Sequence, residues 1–343
     1  MIAWMHSYLP IMVRVTTIDF PLELPATKKG DHWHARAGTK QLRLSNLDKL
    51  YWPEEGFTKG DLLTYYFNVS PTMLPHLVDR PLTLKRMPNG INSDFFYEKN
   101  APKHTPDWMP TIPVSAENES KIINFLTVCD PADMLYVANL GCIEFHPLHT
   151  RAGDQKHPTY AFFDLDPFPP ATYDEVKHVA LLVKVVLDQL GLVAFPKTSG
   201  ATGMQIMVPL DGTATYDWVR GFVGAVSDLV HSADPDTTTL EWEIPKRTGK
   251  VFLDVNMNRE GANIAAAYSV RPEPGATVSA PFTWDEIDDI YPENFTMATM
   301  FDRIAEAGDP FLPVAEGPGQ SIDAALEGLE ATPRKARDIR VRS

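Results

Sequence analysis

Two acidic residues alternate with apolar ones in the segment YAFFDLDPFPP, residues 160–170. In a β-strand, residues i and i+2 point to the same side, so Asp164 and Asp166 would project together. Two adjacent buried carboxylates raise each other's pKa and cost stability unless a partner compensates them. Mn²⁺ or Mg²⁺ would be such a partner, because these cations prefer carboxylate oxygens. The pattern predicts a metal site, with an exposed strand end and a simple turn as the alternative.

A third acid, Asp254, ends the apolar run of KVFLDVNMN. If the two predicted strands are neighbours, the three carboxylates converge. Such a cluster can hold two metal ions that activate a 3′-hydroxyl and stabilise a leaving pyrophosphate.

A loop of small residues lies between two predicted strands in KTSGATGMQIMVPL. Gly200 and Gly203 can free backbone N–H groups for an anion site, and Ser199 adds a hydroxyl donor. An ordinary hairpin turn explains the loop equally well. Arg247 and Arg271 stand beside predicted strands and suit bidentate phosphate contact, although a surface salt bridge is the usual role of such residues.

Strands and helices alternate around these residues. NLGCIEFHPL and YAFFDLD read as strands, and TYDEVKHVALLVKVVLDQLG has apolar residues at helical spacing. Hairpin-like returns favour a mixed α/β (α+β) fold of mixed or antiparallel sheets flanked by helices over a doubly wound sheet. We expect residues 1–38 to be irregular, Ser45 or Asn46 to cap a short helix, and residues 314–343 to form a flexible tail, acidic and then basic.

The composition is that of an ordinary globular protein, with 44% hydrophobic and 22% charged residues. The net charge of −14 argues against a protein that coats nucleic acid. The charge is uneven, however, because residues 285–330 hold twelve acids and one base, whereas residues 331–343 hold five bases and one acid. No apolar run approaches the ~20 residues of a membrane helix, and no signal peptide is evident. Two cysteines in apolar contexts predict buried thiols in a reducing cytoplasm.

Taken together and in this order, the motifs resemble the polymerase domain of bacterial DNA ligase D, in the archaeo-eukaryotic primase (prim-pol) superfamily. The similarity begins at LRLSNLDKLYWPEEGFTKGDLLTYY and runs through FFYEKNAP, NLGCIEFHP, FFDLDP, TSGATG, VFLDVNMN and AYSVRPEPGATVSAP to NFTMATMFDRIAEAGDP. It implies a primase-like catalytic domain over residues 39–313.

The resemblance implies metal-dependent nucleotidyl transfer, usually with Mn²⁺ and ribonucleotides favoured. The acids of the two-metal site (Mn²⁺ or Mg²⁺) would be Asp164, Asp166 and Asp254. The residues that would bind the nucleotide are Ser199, Gly200, Thr202, Gly203, Arg247, Arg271 and His146. Alternatively, His146 is an ordinary residue of a strand, with its ring hydrogen-bonded within the protein.

The resemblance also implies a DNA-binding face. Phe95 and Phe96 would pack on the template, although one of the two could instead belong to the core. Asn46, Lys49 and Lys59 match the pocket for a 5′-phosphate at a gap or break, and each alone would pass for a surface residue.

The implied partners are gapped or broken DNA and NTP or dNTP. Because no K-x-D-G ligase nucleophile is present, a separate DNA ligase and the end-binding protein Ku would act in trans. The implied setting is the bacterial cytoplasm, in association with the nucleoid, with no membrane contact.

Three positions depart from the family pattern. Thr202 and Gln205 stand where the family often has Lys and His, and Met257 stands where Gln is common. The missing cation should weaken nucleotide binding and leave more of the phosphate contact to the two arginines. Three functions follow as hypotheses: a repair polymerase at gaps or breaks, a primase that starts chains de novo, and a catalytically weak DNA-end-binding module.

Overall fold

The computed structural model describes residues 18–115 and 122–335. Within them, the strands form four sheets, two of which have five strands. Three of the sheets are built from β1–β3, β4–β5 and β6–β10, respectively. Their strands are β1 Ala26–Lys29, β2 His32–Ala37, β3 Lys40–Leu44, β4 Leu50–Trp52, β5 Phe57–Thr58, β6 Leu82–Arg86, β7 Phe96–Glu98, β8 Thr111–Ser115, β9 Ile122–Leu126 and β10 Cys142–Pro147. Those of the fourth sheet are β11 Tyr160–Pro167, β12 Phe195–Thr198, β13 Met204–Pro209, β14 Thr238–Thr239 and β15 Val251–Leu253.

The helices are α1 Lys59–Met73, α2 Pro131–Asn139, α3 Tyr173–Gln189, α4 Tyr216–Ala233, α5 Met300–Ala307, α6 Leu312–Glu316 and α7 Asp323–Gly328. Short 3₁₀ turns occur at Leu74–His76, Ile244–Arg247, Val255–Asn258, Trp284–Asp289 and Pro292–Asn294. None of the described helices combines the length and apolar character needed to cross a membrane.

The two five-stranded sheets carry the candidate site. The first has the order β10-β6-β9-β8, with β7 also paired to β6, and its pairs are antiparallel. The second has the order β12-β13-β11-β15-β14 and is antiparallel except for the β14–β15 pair. The predicted fold class is therefore confirmed.

Helices α3 and α4 cover one face of the second sheet. Phe163 of β11 makes an edge-to-face contact with Phe222 of α4, with ring centroids 6.1 Å apart. Because side chains alternate along a strand, Asp164 and Asp166 lie on the opposite face. The apolar residues of β11 thus anchor the strand while its acids project into a cleft.

Two sequence predictions about the N-terminal region are wrong. Residues 26–37 are not irregular but form the hairpin β1–β2, which β3 extends into a three-stranded sheet. The expected short helix is absent, and β3 and β4 flank that segment instead. Leu42 and Leu44 show why, since they alternate with polar residues and are buried at the period of a strand. Residues 1–17 lie outside the described residues.

The C-terminal segment also differs from the prediction of a flexible tail. Residues 314–335 include most of α6 and all of α7, and Ile322 and Leu326 are buried. Residues 331–335 continue along α4, and residues 336–343 lie outside the described part of the chain. Cys129 is exposed, contrary to the expectation of a buried thiol, while Cys142 is buried; both are free thiols.

Candidate active site

The three predicted metal acids come from two neighbouring strands. Asp164 and Asp166 lie on β11, and Asp254 follows β15 directly, where its backbone N–H donates to the carbonyl of Asp164 over 3.1 Å. Asp164 and Asp166 line a cleft of about 460 Å³, whereas Asp254 lines a second cleft. In the described chain, no three acidic, histidine or cysteine side chains gather closely enough to form a ready metal centre. The fold therefore brings the predicted acids into adjacent strands but divides them between two clefts.

The acids nevertheless interact electrostatically. Burial, and after it the charges of Asp166 and Asp254, raises the pKa of Asp164 well above its usual range. Burial and the charge of Asp254 raise the pKa of Asp166 to about 6, and burial also raises the pKa of Asp254. Hard oxygen ligands whose negative charges destabilise one another are a donor set that suits a divalent cation.

The glycine loop lies directly against the acidic strand. Gly200 has φ +72°, and a methyl group there would come within 2.7 Å of the Arg271 side chain. A methyl group on Gly203 would collide with the carbonyl oxygen of Leu165 and lie 3.1 Å from Oδ1 of Asp166. The Ser199 hydroxyl oxygen accepts from the backbone N–H groups of Ala201 at 3.1 Å and Gly203 at 3.0 Å. Gly203 is thus required for the close approach to the acidic strand, and Gly200 for close packing against Arg271 and the backbone at Val278 and Ser279. An ordinary hairpin turn would need neither contact.

Gln205, one of the family departures, connects Asp164 to a buried lysine. Its side-chain amide donates to Oδ1 of Asp164 over 2.9 Å, and its carbonyl oxygen accepts from Nζ of Lys197 over 2.5 Å. Lys197 also donates to the hydroxyl of Ser279 at 2.5 Å. Burial, followed by the charge of Arg271, lowers the pKa of Lys197 to about 7.

A buried glutamate links the predicted nucleotide residues. Glu144 Oε1 accepts from Nζ of Lys85 at 2.9 Å and lies 3.2 Å from Nε of Arg271, while Oε2 lies 2.5 Å from Nε2 of His146. Burial alone would raise the pKa of Glu144, but the hydrogen bond from His146 and the charges of Arg271, His146 and Lys85 hold it well below its usual range. Arg271 also donates to the carbonyl of Ser199, so one carboxylate orients two predicted ligand-binding residues beside the glycine loop.

Arg247 lies at the other side of β11. It donates to the carbonyls of Glu241 at 2.9 Å and Trp242 at 2.6 Å, and its guanidinium stacks 3.5 Å from the ring centroid of Phe252. These contacts tie Arg247 to the β14–β15 edge. The structure does not bring it to the glycine loop with Arg271.

The predicted template residues stand out from the surface. The side chains of Phe95 and Phe96 are 51% and 45% exposed, so neither belongs to the core. Lys85 lies 4.9 Å from the ring centroid of Phe95, and Arg86 lies 5.0 Å from that of Phe96. Two exposed aromatic rings backed by cations form a surface on which a base can stack.

The predicted 5′-phosphate residues lie around a separate cavity of about 620 Å³. Asn46 and Lys59 line it with Arg43 and Arg86. The Lys59 ammonium donates to the carbonyls of Asn139 at 2.7 Å and Ser45 at 2.9 Å, and burial together with nearby cations lowers its pKa to about 8.

Lys49 is not among the residues that line this cavity. Its ammonium donates to the carbonyl of Pro88 over 2.7 Å. The cavity thus has cationic walls, but the ammonium groups of both predicted lysines already bond to backbone carbonyls.

Comparison with known proteins identifies the family of the chain. The family model for the LigD primase-polymerase domain matches residues 58–311. The chain belongs to the LigD primase-polymerase family. The structure is similar to that of the polymerase domain from Mycobacterium tuberculosis ligase D in complex with DNA, with a TM-score of 0.75 and 30% identity, covering 80% of this chain and 98% of that one.

Longer relatives carry the same domain. The chain is 31% identical to the multifunctional non-homologous end joining protein LigD of Mycolicibacterium smegmatis and 32% identical to the bifunctional LigD of Bacillus subtilis. Each alignment covers 87% of this chain but only 38% and 48%, respectively, of the relative. The chain therefore spans less than half the length of these relatives.

In this member of the LigD primase-polymerase family, sequence reasoning missed Glu144 and Lys197. Glu144 carried a usable signal, because it stands two residues before His146 on a buried strand and so shares its face. Lys197 carried none beyond its place before the glycine loop, since only the fold shows that its ammonium reaches Gln205.

Proposed function

We propose that this protein is a metal-dependent, template-directed polymerase that adds nucleotides to primer ends at gaps or double-strand breaks during non-homologous end joining. The observation that carries the proposal is that Asp164, which is buried, and Asp166, which is half-buried, share one face of β11 beside a glycine loop. The LigD relatives are named for non-homologous end joining, and the similar polymerase domain was solved with DNA.

The acids fit a divalent cation. Asp164 is buried and accepts a hydrogen bond from Gln205, yet its pKa and that of Asp166 are raised, so the hydrogen bond and the nearby cations offset only part of the cost of the charged forms. Asp164 and Asp166 would hold the cation, with Asp254 completing the set from β15. A bound Mn²⁺ or Mg²⁺ would offset charge on the reacting phosphate and lower the pKa of the attacking hydroxyl.

The protein's own residues would position the nucleotide. Ser199 and the backbone of the glycine loop would receive the triphosphate, and Arg271, held by Glu144, would face its negative charge. His146 lines the same cleft. As the bond from the 3′-oxygen to the α-phosphorus forms, the bond to the β-phosphate breaks, pyrophosphate leaves and the hydroxyl proton passes to solvent. Ribonucleotides would be the favoured substrates.

The DNA would be read on either side of this cleft. A template base would stack on Phe95 or Phe96, and such contacts are worth about 1–3 kcal/mol per base. The cavity around Asn46 and Lys59 would take the 5′-phosphate of a gap, where Arg43 and Arg86 add positive charge. A DNA ligase and Ku would act with the polymerase to complete end joining.

Primer extension on gapped DNA tests the proposal. The wild-type protein should extend the primer, more so with a 5′-phosphate on the downstream strand, with Mn²⁺ than with Mg²⁺ and with rNTPs than with dNTPs. The Asp164→Ala/Asp166→Ala double variant should lose extension while keeping its fold, since the two removed charges repel each other. Asp188→Asn, in a surface ion pair with Lys184, is the matched control and should extend normally.

Other outcomes would replace the proposal. Extension by the double variant would contradict it. Product on an unprimed single strand would indicate a primase. Tight binding that depends on the 5′-phosphate, with no incorporation under any condition, would indicate an end-binding module, for which Thr202 in place of a loop lysine is the specific argument.

A further inference from the structure

The second cleft, which Asp254 lines, is basic in an acidic protein. Its volume is about 580 Å³. Five basic side chains and a histidine line it, against three acids: the bases are Arg220, Lys246, Lys250, Arg334 and Lys335, the histidine is His231, and the acids are Asp228, Glu241 and Asp254. Trp242, which is 38% exposed, adds an aromatic face. A nucleic-acid strand fits this cleft, because its phosphates would meet the basic side chains and a base could stack on the aromatic ring.

Part of this cleft is built by the C-terminal segment. Helix α4 carries Gly221 and Gly224 in its interior, each at a cost of about 1 kcal/mol relative to alanine. A methyl group on either would collide with the segment, at the carbonyl of Thr332 or the guanidinium of Arg334. Arg220 donates to the carbonyl of Arg334 over 2.7 Å, and Arg334 pairs with Asp228. The two glycines thus allow a close packing that holds Arg334 and Lys335 at the cleft.

The position of the cleft relative to the glycine loop indicates which reactant it faces. In the sheet order, β11 lies between β13, which the glycine loop precedes, and β15, which Asp254 follows. In phosphoryl transfer the attacking and leaving oxygens lie roughly in line on opposite sides of the phosphorus. If the triphosphate lies at the glycine loop, its pyrophosphate leaves on that side. The attacking hydroxyl must therefore arrive from the side of Asp254.

We propose that the cleft between α4, β15 and the C-terminal segment binds the phosphate backbone of the primer strand. The 3′-hydroxyl of this strand would lie beside Asp254 and attack the α-phosphorus of the nucleotide. This inference rests on the proposed polymerase function. It assigns Lys250, Lys335 and Arg334 as primer contacts, and it explains how a chain with a net charge of −14 holds a primer end next to Asp254.

The salt dependence of DNA binding tests this assignment. Each phosphate contact to duplex DNA contributes a slope of about 0.9 in log K against log salt, which at 0.1 M salt corresponds to about eightfold in affinity. Lys250→Gln and Lys335→Gln should each lower the slope by about 0.9 and weaken binding of a primer–template with a 3′-deoxy end by about eightfold. Binding of the template strand alone should fall far less. Lys184→Gln, on the outer face of α3, is the matched control.

The outcomes are distinct. Slopes for both cleft variants equal to that of Lys184→Gln would overturn the assignment, as would equal losses on the template strand alone. Failure of the wild-type protein to extend a primer with a 3′-hydroxyl would instead overturn the proposed function, and a separate extension assay on the wild-type protein tests this before any variant is compared.

Discussion

Replacing Glu144 by Gln should destabilise the protein strongly, although the two side chains have nearly the same shape. Glu144 is fully buried, and its carboxylate is the common partner of Lys85, Arg271 and His146. The amide of Gln keeps the volume but removes the negative charge, so two half-buried cations, Lys85 and Arg271, lose their counter-charge. Removing one partner of a buried ion pair costs about 3–5 kcal/mol. At roughly 2 °C per kcal/mol for a chain of this size, the melting temperature should fall by about 6–10 °C.

Urea unfolding at pH 7, followed by tryptophan fluorescence, measures this loss. Because the folded-state pKa of Glu144 lies below the unfolded one, its stabilisation is present above about pH 4.5 and is lost as the pH falls. The gap between wild type and Glu144→Gln should therefore narrow in acid. Nucleotide binding should weaken as well, because Arg271 and His146 lose the group that orients them.

Two controls make the result specific. Asp188→Asn removes one partner of an exposed ion pair and should change the unfolding free energy by less than about 1 kcal/mol. Lys85→Met in the Glu144→Gln background should recover part of the loss, because it removes one uncompensated charge. A Glu144→Gln protein within about 1 kcal/mol of wild type would refute the reasoning.

Three further predictions concern the acids, the template surface and the glycine loop. The pKa of Asp166 is raised to about 6, so this group should cost metal-free protein about 2–3 kcal/mol of stability as the pH rises from 4 through 6. Urea titrations in EDTA should show this loss, and Asp166→Asn should remove the part of it that Asp166 contributes. Phe95→Ala and Phe96→Ala should each weaken template binding by about 1–2 kcal/mol in fluorescence anisotropy with little change in melting temperature; unchanged binding in both would argue against base stacking. Gly203→Ala should push the loop off the acidic strand and weaken nucleotide binding by calorimetry, whereas Gly328→Ala, with open space around it, should not; equal affinities would contradict the close-approach argument.

The sequence allowed the sheet that carries the acids to be predicted because its signals are local. Alternation placed Asp164 and Asp166 on one face of β11, and helical spacing gave α3 within about one residue of its observed ends. The N-terminal hairpin was missed because β1 and β2 are short and largely polar, with few buried side chains to produce a pattern.

The C-terminal segment was missed for a different reason. Its acidic and Gly/Pro-rich composition resembles that of a disordered tail, yet a few apolar residues such as Ile322 and Leu326 dock it on the core. The role of Arg247 could not be predicted, since a lone arginine near a strand does not reveal which side of the sheet its guanidinium will reach.

Gln205 shows how a departure from a family pattern can preserve the chemistry of a site. A buried carboxylate and a buried ammonium both require partners, and the side-chain amide supplies one donor for Asp164 and one acceptor for Lys197. A neutral imidazole also has one donor and one acceptor. Gln at this position therefore provides the same donor and acceptor as His would, without a group that titrates near neutral pH. Thr202 has no such equivalence, because a hydroxyl cannot replace the charge of a lysine. If the glycine loop receives the triphosphate, as we propose, Arg271 would supply the positive charge there, and the carboxylate of Glu144, which holds this arginine, would be correspondingly important.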